Sequence, residues 1–118
     1  LAGLIKSKNS VSSELSHGDQ KLLDIALALC LKPKLLLLDE PTAGMGPEER
    51  WKMIDRIKEL WKKTKITIVF IEHDMDIVFG IAQKIFVLQQ GAILAEGNPQ
   101  EIKKNQKVIK AYLGGGKK

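Results

Sequence analysis

The sequence predicts an α/β fold: about three parallel strands plus an edge hairpin strand, with flanking helices. Three observations carry this. Short continuous apolar runs at 35–38 and 66–71 suit strands buried on both faces. Between them, residues 47–63 place apolar side chains at helical spacing. A further helix and strand then extend the alternation, which is how parallel strands are joined. The chain has 118 residues, 44% of them apolar and 28% charged, which fits one globular domain or a large piece of one.

The elements follow in order. Residues 1–14 are rich in Ser, Lys and Asn with weak periodicity and read as a loop or remnant. Ser16 to Leu31 reads as a helix, with Leu22, Leu23, Ala26, Leu27 and Cys30 at helical spacing. Ser16 and Asp19 have the S-x-x-D arrangement that can cap its first turn. Lys32-Pro33 ends it, because proline cannot continue a helix. Leu35 to Leu38 is too short for a helix and suits a buried strand. After a loop through Gly46, Pro47 fits the first position of a helix, and Glu48 and Glu49 favour its first turn. That helix runs to about Lys63, with Trp51, Ile54, Ile57 and Trp61 on one face. Ile66 to Ile71 is β-branched and continuous, hence a second strand. Met75 to Ala82 reads as a short helix and Lys84 to Leu88 as a third strand. Gln90-Gly91 turns the chain back into an edge strand, Ala92 to Glu96. Gly97-Asn98-Pro99 breaks it, and one or two short polar helices finish the chain before a Gly-rich end.

Charge narrows the function classes. The net charge is +5, but residues 1–50 carry six basic and seven acidic side chains, and residues 51–98 seven and six. Residues 99–118 carry six and one, so the whole excess lies in this basic tail. A neutral body argues against a broad phosphate-backbone footprint, so no nucleic acid is expected as a partner. The tail reads as a solvated end, or as a segment attracted to a membrane surface by about 1 kcal/mol per nearby lysine. Cys30 is alone, which excludes an internal disulfide and a cysteine zinc cage. No apolar run approaches the ~20 residues of a membrane-spanning helix.

Three groups of residues could carry chemistry. Asp39 and Glu40 follow the first strand at its C-terminal end, where open α/β sheets bind ligands. Adjacent carboxylates there can hold Mg²⁺ and can orient and deprotonate an attacking water. They can equally be two solvated acids. His73 ends the next strand, which parallel pairing would set beside Glu40, and its imidazole could donate to a phosphate oxygen or a polarised water. Alone, it would be a polar cap. Leu15-Ser16-His17-Gly18-Asp19 opens the first helix. The Ser16 hydroxyl, the Gly18 amide and the helix N-terminus could bind an anion, or simply cap the helix.

In this order and spacing the segments resemble the C-terminal half of an ATP-binding cassette (ABC) transporter ATPase. Leu15 to Asp19 resembles the signature loop LSGGQ, and Leu35 to Glu40 the Walker B strand with its glutamate. Ala43-Gly44-Met45-Gly46 resembles the D-loop, and His73 the switch histidine. Glu72-His73-Asp74-Met75-Asp76, Ala95-Glu96-Gly97-Asn98-Pro99 and Ala111-Tyr112-Leu113-Gly114 further resemble the branched-chain amino acid importer subfamily. Three positions depart from the pattern: His17 and Asp19 within the signature, and Gly46 where the D-loop usually has Asp. No G-x-x-x-x-G-K-[ST] phosphate loop occurs in the chain.

The resemblance implies a partial P-loop NTPase-type parallel sheet. Residues 15–98 would run from signature to edge strand, with 99–118 as a C-terminal tail. It implies an intact protein that hydrolyses ATP with Mg²⁺ to power import of branched-chain or related amino acids. Glu40 and His73 would be catalytic, Asp39 would hold the metal, and Ser16, His17, Gly18, Asp19 and Asp39 would bind the nucleotide. The implied partners are a second ATPase subunit, identical or not, and transmembrane permease subunits at the inner face of the cell membrane. An ABC ATPase of a non-transport system, and a half-cassette that binds or dimerises without hydrolysis, are the alternatives.

Overall fold

The computed structural model describes residues 17–113. Two compact units divide the chain, residues 1–77 and 78–118.

The described part of the first unit holds α1 (His17–Leu29), β1 (Leu35–Asp39), α2 (Pro47–Thr64) and β2 (Thr67–Ile71). A short helix, α3 (Met75–Ile81), runs across the division. The strands β1 and β2 pair in parallel, from Leu35 opposite Thr67 to Asp39 opposite Ile71. A parallel pair needs a long crossover, and α2 is that crossover. Pro47 opens α2 where a missing N–H is harmless, and Glu48 and Glu49 favour its positive end. Lys65 closes it in the left-handed region at φ 58°, its N–H bonded to the Trp61 carbonyl at 2.7 Å.

Two expectations need correction here. The buried stripe of α2 is Met53, Ile54, Ile57 and Leu60; Trp51 is 42% exposed. At 3.6 residues per turn, Trp51 lies roughly 130° round the helix from the centre of that stripe. Among the described residues, the β1–β2 sheet is buried on one face. Leu36 is buried, whereas Leu35, Leu37, Val69 and Ile71 are each at least half exposed. An unbroken apolar run marks a strand, but it does not supply the layer that would cover its second face.

The second unit holds β3 (Ile85–Gln89), β4 (Ala92–Gly97), α4 (Pro99–Lys104), α5 (Gln106–Val108) and a π-helical turn, Ile109–Leu113. Among the described residues β3 pairs antiparallel with β4 and with no other strand. Within the described residues the parallel pairing is that of β1 with β2, and β4 is the edge hairpin strand that turns back on β3. The hairpin is set locally. Gln90 and Gly91 both adopt positive φ, 52° and 80°, the two-residue turn that matches strand twist. Closing so short a loop costs far less entropy than a crossover. Asn98 and Glu101 form a reciprocal capping box on α4. Ile85, Ile102 and Val108 make this unit's core, with Val78, Phe79 and Leu94 packed against it.

Candidate functional site

The register of the parallel pair builds the site. Asp39 ends β1 opposite Ile71, and the Glu40 N–H continues the ladder with a 2.8 Å bond to the Ile71 carbonyl. Glu40 itself sits at φ 48°, the left-handed region that few non-glycine residues occupy. The chain therefore turns sharply at Glu40, directly beside the end of β2. Two residues past Ile71, the His73 Nε2 lies 3.1 Å from Glu40 Oε2. An ionised carboxylate can only accept, so the histidine N–H donates. The pair is open to solvent, with side-chain exposures of 81% for His73 and 42% for Glu40.

Side chains flanking this pair tie the two loops together. Glu72 Oε2 accepts from the Thr42 N–H at 3.1 Å and from its hydroxyl at 2.8 Å. Thr42 is 3% exposed, so this polar contact is inside the unit. Arg50, in the first turn of α2, pairs with Asp74 Oδ2 at 2.7 Å. The other Asp74 oxygen accepts from the N–H groups of Asp76 and Ile77, at the start of α3. Sequence reading missed Thr42, Arg50, Glu72 and Asp74 as parts of this site. The only signal was indirect: carboxylates flank His73 on both sides, and Thr42 follows Glu40 by two residues.

Asp39 is exposed at the strand end and enters none of the ion pairs among the described residues. No group of three or more His, Cys, Asp or Glu side chains among those residues could cage a metal. Asp39 offers one exposed carboxylate at this edge, a donor of the kind Mg²⁺ takes beside water and phosphate oxygens.

The helix-opening group is placed in part. Ser16, with its capping role toward Asp19, lies outside the described residues. His17 opens α1 and Asp19 lies in its first turn. Gly18 is buried: a Cβ there would stand 2.8 Å from Glu49 Oε2 and 3.7 Å from the end of Met45. Gly18, Asp19, Met45, Glu49 and Arg56 line one shallow groove between α1 and α2. The structure thus unites Asp39, Glu40 and His73 at the sheet edge, and sets Gly18 and Asp19 on a separate feature. No described helix is long and apolar enough to cross a membrane.

Comparison with known proteins adds to this geometry. A family described as "ABC transporter" matches residues 2–43, and one described as "Branched-chain amino acid ATP-binding cassette transporter" matches residues 92–118. The chain is 46% identical over 112 residues to the high-affinity branched-chain amino acid transport ATP-binding protein LivG of Salmonella typhimurium, covering 95% of this chain and 44% of that protein. It is 41% identical to BraF of Pseudomonas aeruginosa, a protein of the same description, covering 94% and 44%. The chain thus spans less than half the length of the curated relatives it matches. Among solved structures, cbiO1 of Clostridium perfringens, part of the ABC transporter complex cbiONQ, superposes with a TM-score of 0.83. It is 35% identical, over 93% of this chain and 44% of that one. A nucleotide-free ATP-binding cassette from an ABC transporter superposes at 0.73 with 35% identity, over 86% and 41%.

Proposed function

The chain belongs to the ATP-binding cassette transporter ATPases, and from that membership we propose that it is the C-terminal portion of a nucleotide-binding domain that hydrolyses ATP to drive import of branched-chain or related amino acids. Membership in the family implies nucleotide binding. The transported class comes from the relatives' names, and the hydrolytic reading from one contact, His73 Nε2 to Glu40 Oε2 at 3.1 Å.

That contact gives each residue a task. His73 holds one oxygen of the Glu40 carboxylate, which leaves the other to orient a water and take its proton as the water oxygen bonds the terminal phosphorus and the bond to the bridging oxygen breaks, releasing ADP. When the ring carries both protons, its Nδ1–H is a second donor that could meet a phosphate oxygen. Asp39 would hold Mg²⁺, which when bound neutralises phosphate charge. Ser16, His17, Gly18 and Asp19 would close over the nucleotide of a second ATPase subunit, using the N-terminus of α1 as the anion site. Permease subunits would take up the resulting motion at the inner face of the cell membrane.

The test is Glu40→Gln in the intact ATPase. The amide keeps the shape and loses the basic oxygen. Hydrolysis falls by roughly 10²-fold or more, the range a general base supplies, while ATP binding persists. A kcat within about threefold of wild type would remove Glu40 from that role. Complementation of an importer-deficient strain, supplied with branched-chain or unrelated amino acids, checks the transported class.

A further inference from the structure

We propose that Glu72 and Asp74 are positioning residues that clamp the His73 turn to the Glu40 loop and to the start of α2 that follows it, a role that takes its catalytic meaning from the ATPase reading above. The need for a clamp follows from exposure. His73 is 81% and Glu40 42% exposed, and an exposed ion pair contributes little against solvent screening and side-chain entropy. Such a pair cannot hold two mobile side chains at 3.1 Å by itself. The backbone beneath it must be fixed.

Both sides of His73 are fixed, one to the Glu40 loop at Thr42 and the other to the first turn of α2 at Arg50. On one side, Glu72 Oε2 takes two hydrogen bonds from Thr42, at 3.1 and 2.8 Å. Thr42 is 3% exposed and lies two residues after Glu40. On the other side, Asp74 bonds Arg50 at 2.7 Å, and its second oxygen caps the start of α3. A three-residue turn is thus fastened at each end, with its middle side chain left free to meet Glu40. Holding two reacting groups in register is a recognised source of rate, and a misplacement near 1 Å can cost about 10²-fold.

The experiment has two readouts. In the intact ATPase, Thr42→Val removes the hydroxyl donor and Arg50→Met removes the second clamp. Each lowers kcat about tenfold, leaves KM for Mg-ATP within about twofold, and Thr42→Ser restores kcat. In the 118-residue chain without nucleotide, the nuclear Overhauser contact between the His73 ring and the Glu40 side chain weakens in the same two variants. Should Thr42→Val fail to fold, Arg50→Met decides the matter, because Arg50 and Asp74 are partly exposed. An active wild type whose variants keep both kcat and the contact overturns the clamp and leaves the ATPase reading intact. An inactive wild type whose variants lose the contact overturns the ATPase reading and supports the clamp. A fall in melting temperature alone, with kcat and the contact unchanged, also overturns it.

Discussion

Glu40 shows how much one backbone angle can decide. At φ 48° it occupies a region disfavoured for any residue with a Cβ. The usual ranking of glycine below alanine therefore reverses here. Glu40→Gly is expected to be more stable than Glu40→Ala by about 1 kcal/mol. Urea denaturation of the two variants checks this, and equal midpoints would mean that the strain is relieved elsewhere. Gly18 makes the opposite case. An added Cβ would meet Glu49 Oε2 at 2.8 Å, but that atom ends a flexible side chain and can swing away. Gly18→Ala should thus leave the melting temperature nearly unchanged. In an intact protein carrying Glu40→Gln, Gly18→Val should still abolish Mg-ATP-dependent dimerisation, because a branched side chain keeps phosphate from the helix amides. Sedimentation with and without Mg-ATP separates these effects. Undiminished dimerisation would reduce the segment to an ordinary helix start. The meeting of Glu40 and His73 was legible in the sequence, since parallel strands that end together bring their ends together. Thr42, Arg50, Glu72 and Asp74 were not. Contacts between loops follow no period, and the left-handed angle at Glu40 leaves no mark on residue type.

At the scale of elements, α2 separates what a pattern shows from what packing selects. Ile54 is fully buried and Trp51 is 42% exposed, although both are large and apolar and three residues apart. Ile54→Ala should cost about 2–5 kcal/mol through lost burial and the cavity left behind. Trp51→Ala should cost under about 1 kcal/mol, as surface changes usually do. Equal losses, measured by chemical denaturation, would show that Trp51 belongs to the buried stripe after all. Helix and strand identities were readable because apolar spacing and Pro or Gly breaks bound each element. The apolar face of each element was less readable, because covering a face depends on a second layer. Strand pairing was readable for β1 and β2, which α2 forces to run parallel. The β3–β4 hairpin was readable as well, from the two-residue Gln90-Gly91 turn between its strands.

At the scale of the whole molecule, the described residues hold several large apolar side chains open to solvent. Leu37 and Val69 stand opposite each other in the register, 69% and 50% exposed. In the other unit Leu88 faces Ile93, at 61% and 57%. Faces of this kind promote association, so the free chain should grow heavier with concentration in sedimentation equilibrium. Leu37→Lys with Val69→Lys should shift that growth to higher concentration; no change would place the sticky surface elsewhere. The two pairings also differ in how far along the chain their partners lie. Leu35 meets Thr67 across 32 positions, whereas Gln89 meets Ala92 across three. Hairpins close in about 1–10 μs, and long-range parallel pairing is slower because its loop entropy is lost before any contact compensates it. The β3–β4 hairpin should therefore form early, while Glu40 and His73 remain strangers until the helix between them has been made and laid down. A nascent chain acquires its acid and its histidine long before it acquires their geometry, so their meeting arrives as one of the last events of folding.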